Sequence, residues 1–180
     1  MRIPLIYGLG IAFATSVVAL ISHLAGYSTE LDKLIIGMLV GVAGSIVINA
    51  TGLTLGARRA RAENSAEGFG YGRAFAICML IVIFAALGNL VFNFIYFKFL
   101  SPDFAEIQLA AAQSMMERMK MPPDKMDLAL ADMRAKSTLS RQLASGLIGT
   151  IAFGALVSLV VAAFVKRSTP SPGDLPPAFT

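Results

Sequence analysis

Asn49, Asn89 and Asn93 are the strongest hydrogen-bonding side chains within the long apolar runs of this 180-residue chain. Asn89 and Asn93 are one helical turn apart and share a face, and Asn49 can meet them from a neighbouring helix. An amide in hydrocarbon seeks a partner, although interhelical hydrogen bonds in membranes average only ~0.6 kcal/mol. Cross-linking of helices is therefore the favoured reading. The alternative is a polar path through a membrane. Against ion-coupled transport stands the lack of any Asp, Glu, Lys or Arg inside the runs, since such transporters usually keep a charge at depth.

Six of the nine methionines lie between Met115 and Met133. Thioethers are soft ligands, and Met115, Met119 and Met121 have the close spacing that a Cu(I) site uses. Methionine is also an adaptable filler of amphipathic helices and contact surfaces. Packing explains the pattern without a metal, so no cofactor is expected.

Catalytic groupings fare worse. Cys78 is the single cysteine and His23 the single histidine, which excludes an intrachain disulfide and an all-histidine metal cage. Ser45 has no base near it in sequence, and no paired carboxylates fall within an apolar run. Nucleophilic catalysis needs such partners, so the chain is expected not to be an enzyme. Gly68, Gly70 and Gly72 resemble a phosphate loop only superficially, because no strand precedes them. A hinge before the next helix is the expected role.

The elements that carry these residues follow from hydropathy. The chain is 56% apolar and 14% charged, with a mean hydropathy of +0.71, too greasy to cover a soluble domain. Runs 4–22, 34–55, 74–97 and 143–165 carry no charge and contain 19 to 24 residues. Each is long enough for a helix to cross a ~30 Å hydrocarbon core, and helices satisfy their own backbone groups in lipid. The spans are expected at about 4–24, 34–56, 74–98 and 142–165, within one domain covering 1–167. A run of prolines predicts a disordered tail at 168–180. The fold class is all-α: an integral membrane four-helix bundle with an extramembrane helical hairpin between spans three and four.

Charge sets the expected orientation. Arg58, Arg59 and Arg61 follow the second span, and Lys166 and Arg167 follow the fourth. Short basic connections stay cytoplasmic, which places both termini inside. Net charge of +4 is thus a topology signal and implies no nucleic-acid partner. The 101–141 segment has six acidic and six basic residues and is neutral enough to lie outside. Ser101, Pro102 and Asp103 suit a helix start, Ser101 as the cap. Phe104, Ile107, Ala111, Met115 and Met119 form one apolar stripe, and Pro122-Pro123 separates it from a second helix bearing Met126, Leu130 and Met133. The hairpin is expected to lie over the outer face of the bundle.

Small residues recur every four positions: Gly8, Ala12 and Ser16; Gly37, Gly41, Ser45 and Asn49; Gly146, Thr150, Gly154, Ser158 and Ala162. Small faces let helix backbones approach closely in lipid. Packing within one chain is the plain reading, and a face for a second copy or a membrane-protein partner is the sharper one.

FGYGRAF before the third span, NFIYFKFLSPDF at its end, the Met-bearing outer pair and AAFVKR after the fourth span carry a resemblance. Over about residues 3–167 the chain resembles the bacterial domain-of-unknown-function family numbered 4199. The resemblance implies four spans in a bacterial inner (cytoplasmic) membrane and transfers no activity or site residue. Pro122-Pro123 departs from it where a more acidic turn is expected. The expected function is a small non-enzymatic membrane protein that presents its outer hairpin to a partner. The alternative is a passive channel or transporter component with an Asn-lined path.

Overall fold

The computed structural model describes residues 2–27, 33–63 and 69–166. The expected tail at 168–180 and the flanking Arg167 lie outside the described residues. Among the described residues six α-helices and one π-helical turn occur in the order α1 (Arg2–Leu24), α2 (Leu34–Glu63), α3 (Tyr71–Ile95), the π turn (Tyr96–Leu100), α4 (Phe104–Arg118), α5 (Pro123–Lys136) and α6 (Leu139–Val165). Helices α1, α2, α3 with its π turn, and α6 are long and apolar enough to cross a membrane. Apolar side chains on their outer faces remain exposed, Phe13 at 73% and Phe164 at 83% among them. Hydrocarbon is the solvent that suits such faces. The chain is a multi-pass membrane protein.

Helix α3 is central and touches all three other spans, most extensively α1 and α6. Ile11, Leu53, Ala57, Cys78, Ile81, Val82, Ala85, Val161, Ala162 and Val165 form the core with Phe69. Most of these residues lie toward the end of the bundle where α2 carries its arginines and α6 finishes. We call this the basic end, and the opposite one the hairpin end.

Two boundaries differ from expectation. The second helix runs on to Glu63 and the third starts at Tyr71, so the arginine-bearing stretch is helical and the connection shrinks. Alanine and arginine are good helix formers, and Ala57 and Ala60 are buried against the core while Arg58 and Arg59 face out. At 1.5 Å per residue a helix of 30 residues is about 45 Å long, which outreaches a bilayer core. Its arginine-bearing last turns therefore extend past the hydrocarbon core into the headgroup region. Arg61 Nη1 donates to the Val165 carbonyl at 3.1 Å, satisfying an acceptor at the α6 end that the helix itself leaves open.

Ser101 is not the cap of α4. Its N–H donates to the Tyr96 carbonyl at 2.9 Å, closing the π turn, and its own carbonyl accepts from Phe104 at 3.2 Å. Asp103 occupies the cap position without a side-chain bond. The hairpin forms, with Lys120 in the left-handed region at φ 53° where α4 ends. There the Met121 N–H donates to the Met116 carbonyl at 3.1 Å and the Lys120 N–H to the Glu117 carbonyl at 2.9 Å, a Schellman closure. Pro123 then opens α5.

The hairpin does not spread over the bundle as a packed cover. Helices α4 and α5 pack mainly on one another, and no described residue of either is buried. Attachment comes through Phe104, whose ring meets Phe97 at 5.3 Å and Tyr96 at 6.2 Å. The stripe is half-covered at Phe104, Ile107 and Ala111 and open at Met115 and Met119.

Candidate functional site

The bundle is tight at its basic end and open toward the hairpin end. Glycines produce the tight half. A side chain at Gly52 would overlap Ile11, one at Gly154 would overlap Val82, and a Cβ at Gly56 would lie 2.6 Å from Ile81 Cδ1. At Gly8 the obstacles include backbone: the Ile81 carbonyl oxygen at 2.7 Å and the Ala85 nitrogen at 3.0 Å. Close helix contact of this kind is how packing stabilises proteins in lipid.

Farther along, α2 changes role. Gly37 abuts the turn after α1, where an added Cβ would sit 2.6 Å from the Tyr27 carbonyl oxygen, but Gly41 has nothing within 4 Å. A cavity fills the space instead. Its inner compartment, about 340 Å3, is lined from all four spans and includes Thr15, Ser16, Asn49, Asn89, Thr150 and Phe153. An outer compartment of about 260 Å3 reaches Gly37, Gly41, Tyr96, Phe97 and Phe104. Thr15, Ala19, Ser45, Phe92 and Asn93 border both.

The three asparagines thus share one cavity without bonding to one another. Asn49 Nδ2 donates to the Ser45 carbonyl of its own helix at 2.8 Å. Thr15 Oγ1 donates to Asn89 Oδ1 at 2.8 Å, in competition with the Ile11 and Ala12 carbonyls, each 2.9 Å away. Asn93 makes no side-chain hydrogen bond to another described residue; its Nδ2 is the nearest group to Gly146, 3.8 Å from where a Cβ would be. Ser16 and Thr150 donate back to the Ala12 and Gly146 carbonyls at 2.7 and 2.8 Å, which leaves their oxygens as acceptors. No charged side chain, imidazole or thiol lines either compartment.

At the mouth, Tyr96 is the hub. Its hydroxyl lies 3.0 Å from His23 Nδ1, and the two rings meet edge to face at 5.4 Å. Phe92 and Phe97 flank it. Lys98 stands over Phe94 and Phe99 at 5.4 and 5.6 Å. Toward the basic end the core is closed, with Leu53, Ala57, Phe69, Ile81 and Val82 each at most 2% exposed.

Other sequence-derived residues have simpler settings. Gly146 and Gly154 belong to the α6 face that meets α3. In α2, Gly37 packs on a turn and Gly41 walls a cavity. Arg58 and Arg59 are exposed, Arg59 pairing with Glu63 at 3.4 Å, and Lys166 is exposed after α6. Met115 and Met119 are exposed on α4, with Met121 half-covered beyond its end. Among the described residues no group of three His, Cys, Asp or Glu side chains could hold a metal.

Sequence reasoning passed over Thr15, Tyr96 and Phe69. The part Thr15 plays, its bond to Asn89, becomes visible only once α1 and α3 are paired. Phe69 is 2% exposed and anchors the short connection before α3, whose Gly70 has an ordinary extended conformation at φ −66° and needs no glycine freedom.

Residues 6–167 match the family described as protein of unknown function, DUF4199. The chain belongs to that family. Nothing among the curated proteins or the solved structures matches it.

Proposed function

We propose that the chain is a small non-enzymatic protein of a bacterial inner membrane, both termini cytoplasmic, whose outer hairpin engages a protein partner. The observation that carries this reading is the state of the hairpin. Met115, Met119 and Leu128 are 57%, 60% and 73% exposed, in a hairpin whose helices have no fully buried side chain among the described residues. Methionine-rich surfaces adapt to irregular partners, and an apolar face left open on an attached hairpin favours contact with another protein. The cavity lining supports the non-enzymatic part, since amides, hydroxyls and rings offer no strong base or nucleophile. The arginines of α2 and Lys166 at one end support the orientation.

The test is native purification with and without Met115→Ser, Met119→Ser and Leu128→Ser together. A partner retained by the wild-type chain and lost by the variant, with insertion unchanged, is the expected result. A strictly monomeric wild-type protein with nothing bound would contradict it.

One observation favours a second reading, a passive channel or transporter component. Asn49, Asn89 and Asn93 border one cavity, as a polar path would require. The plug at the basic end would have to open for passage. Under this reading Asn89→Leu with Asn93→Leu abolishes flux in liposomes; under the first it changes stability alone.

A further inference from the structure

We infer that the cavity between the spans is a binding site for an uncharged ring carrying carbonyl or hydroxyl oxygens. This inference stands independently of the hairpin reading, because no residue used for it belongs to α5 or to the exposed part of α4.

Charge is decided first. Neither compartment is lined by a carboxylate, ammonium, guanidinium or imidazole group. An ion held among spans without a counter-charge faces a large desolvation cost. The occupant is neutral.

Its polar atoms are decided by the unpaired amides. Asn89 spends its oxygen on Thr15, and no described residue accepts from its Nδ2. Asn93 has neither donor nor acceptor partner among the described residues. Both border the cavity, with Asn93 at the junction of the two compartments. Two amide NH2 groups call for oxygen acceptors on the ligand. The Thr150 and Ser16 oxygens, whose protons are committed to their own helices, receive from a ligand hydroxyl. Amides left without partners in such surroundings lose free energy, and a matched occupant restores it.

The shape follows from the rings. Phe92, Tyr96, Phe97 and Phe104 border the outer compartment and Phe153 the inner one. Flat faces of that kind favour a ring over a branched polyol. The inner compartment, about 340 Å3, falls in the lower size range of small-molecule sites, roughly 300 Å3 upward, and the outer one adds about 260 Å3 beside it. Quinone and phenol heads have this chemistry, whether they arrive on a lipid chain from the bilayer or as free molecules from water.

The test is saturation binding of two tritiated probes to nanodisc-reconstituted protein: 2,3-dimethoxy-5-methyl-1,4-benzoquinone, and the same ring with a decyl chain. We expect one saturable site per chain for at least one probe. Saturation by the decyl form alone assigns the source to the bilayer, and saturation by both assigns it to either phase. Asn89→Leu with Asn93→Leu should weaken binding by roughly tenfold or more. Gly41→Phe should abolish it by filling the wall where nothing lies within 4 Å, without disturbing the packed end. Thermal melting checks that each variant is folded. Uptake that rises linearly with probe for both rings, or saturation unchanged by Gly41→Phe, overturns the inference.

Discussion

Ser158 illustrates how a single side chain can work against the packing around it. It lies in the buried face of α6, fully covered, and its hydroxyl has no hydrogen-bond partner among the described residues. The small size that lets α6 approach α3 is what the position uses, and the oxygen adds a desolvation cost. Ser158→Ala should therefore stabilise the protein by about 1 kcal/mol, read as a higher melting temperature in one detergent. A lower melting temperature would show that the hydroxyl is satisfied. Thr15 and Asn89 present the opposite case, a hydroxyl and an amide oxygen joined across two helices at 2.8 Å. Asn89 was legible in the sequence as a polar residue on a helix face. Thr15 was not, because an isolated threonine in a helix can always return its proton to its own backbone, and nothing in the chain order says that α1 faces α3.

Small-residue faces lead to different outcomes in different helices. The later part of the repeat in α6, from Gly154 to Ala162, and the start of that in α1 pack closely, whereas the repeat in α2 borders empty space over Gly41 and Ser45. A four-residue period states that a face is small, and that condition suits either close contact or a cavity. In α2 both occur in turn: Gly37 meets the backbone of Tyr27 in the turn after α1, and Gly41, one turn on, has nothing within 4 Å. The consequence is a testable contrast. Gly8→Ala meets backbone of α3 and should cost about 1–3 kcal/mol, while Gly41→Ala meets nothing and should change stability little. Equal effects on thermal unfolding would contradict a bundle packed at one end only. The helix ends were legible to within a turn or two where proline, glycine or a charge run marked them. The π turn at Tyr96–Leu100 was not, since Ser101-Pro102 marks where the helix must end but not that its last turn widens to bond Ser101 to the Tyr96 carbonyl.

For the whole molecule, four charge-free runs long enough to span lipid made the all-α membrane fold readable, and four helices of the structure have that length and composition. The asymmetry along the bundle axis was hidden, because it arises from which residues meet across helices. Leu53, Ala57, Phe69, Ile81 and Val82 close the basic end, and a polar cavity opens toward the hairpin. Cysteine accessibility tests this arrangement most directly. In a Cys78→Ala background, single cysteines replacing Gly41, Ser45, Leu53 and Ala57 would be exposed to a membrane-impermeant maleimide in sealed vesicles of each orientation. The account predicts labelling at positions 41 and 45 from the hairpin side only, with positions 53 and 57 silent from both sides. Labelling at 53 or 57, or at 41 and 45 from the basic side, would contradict it.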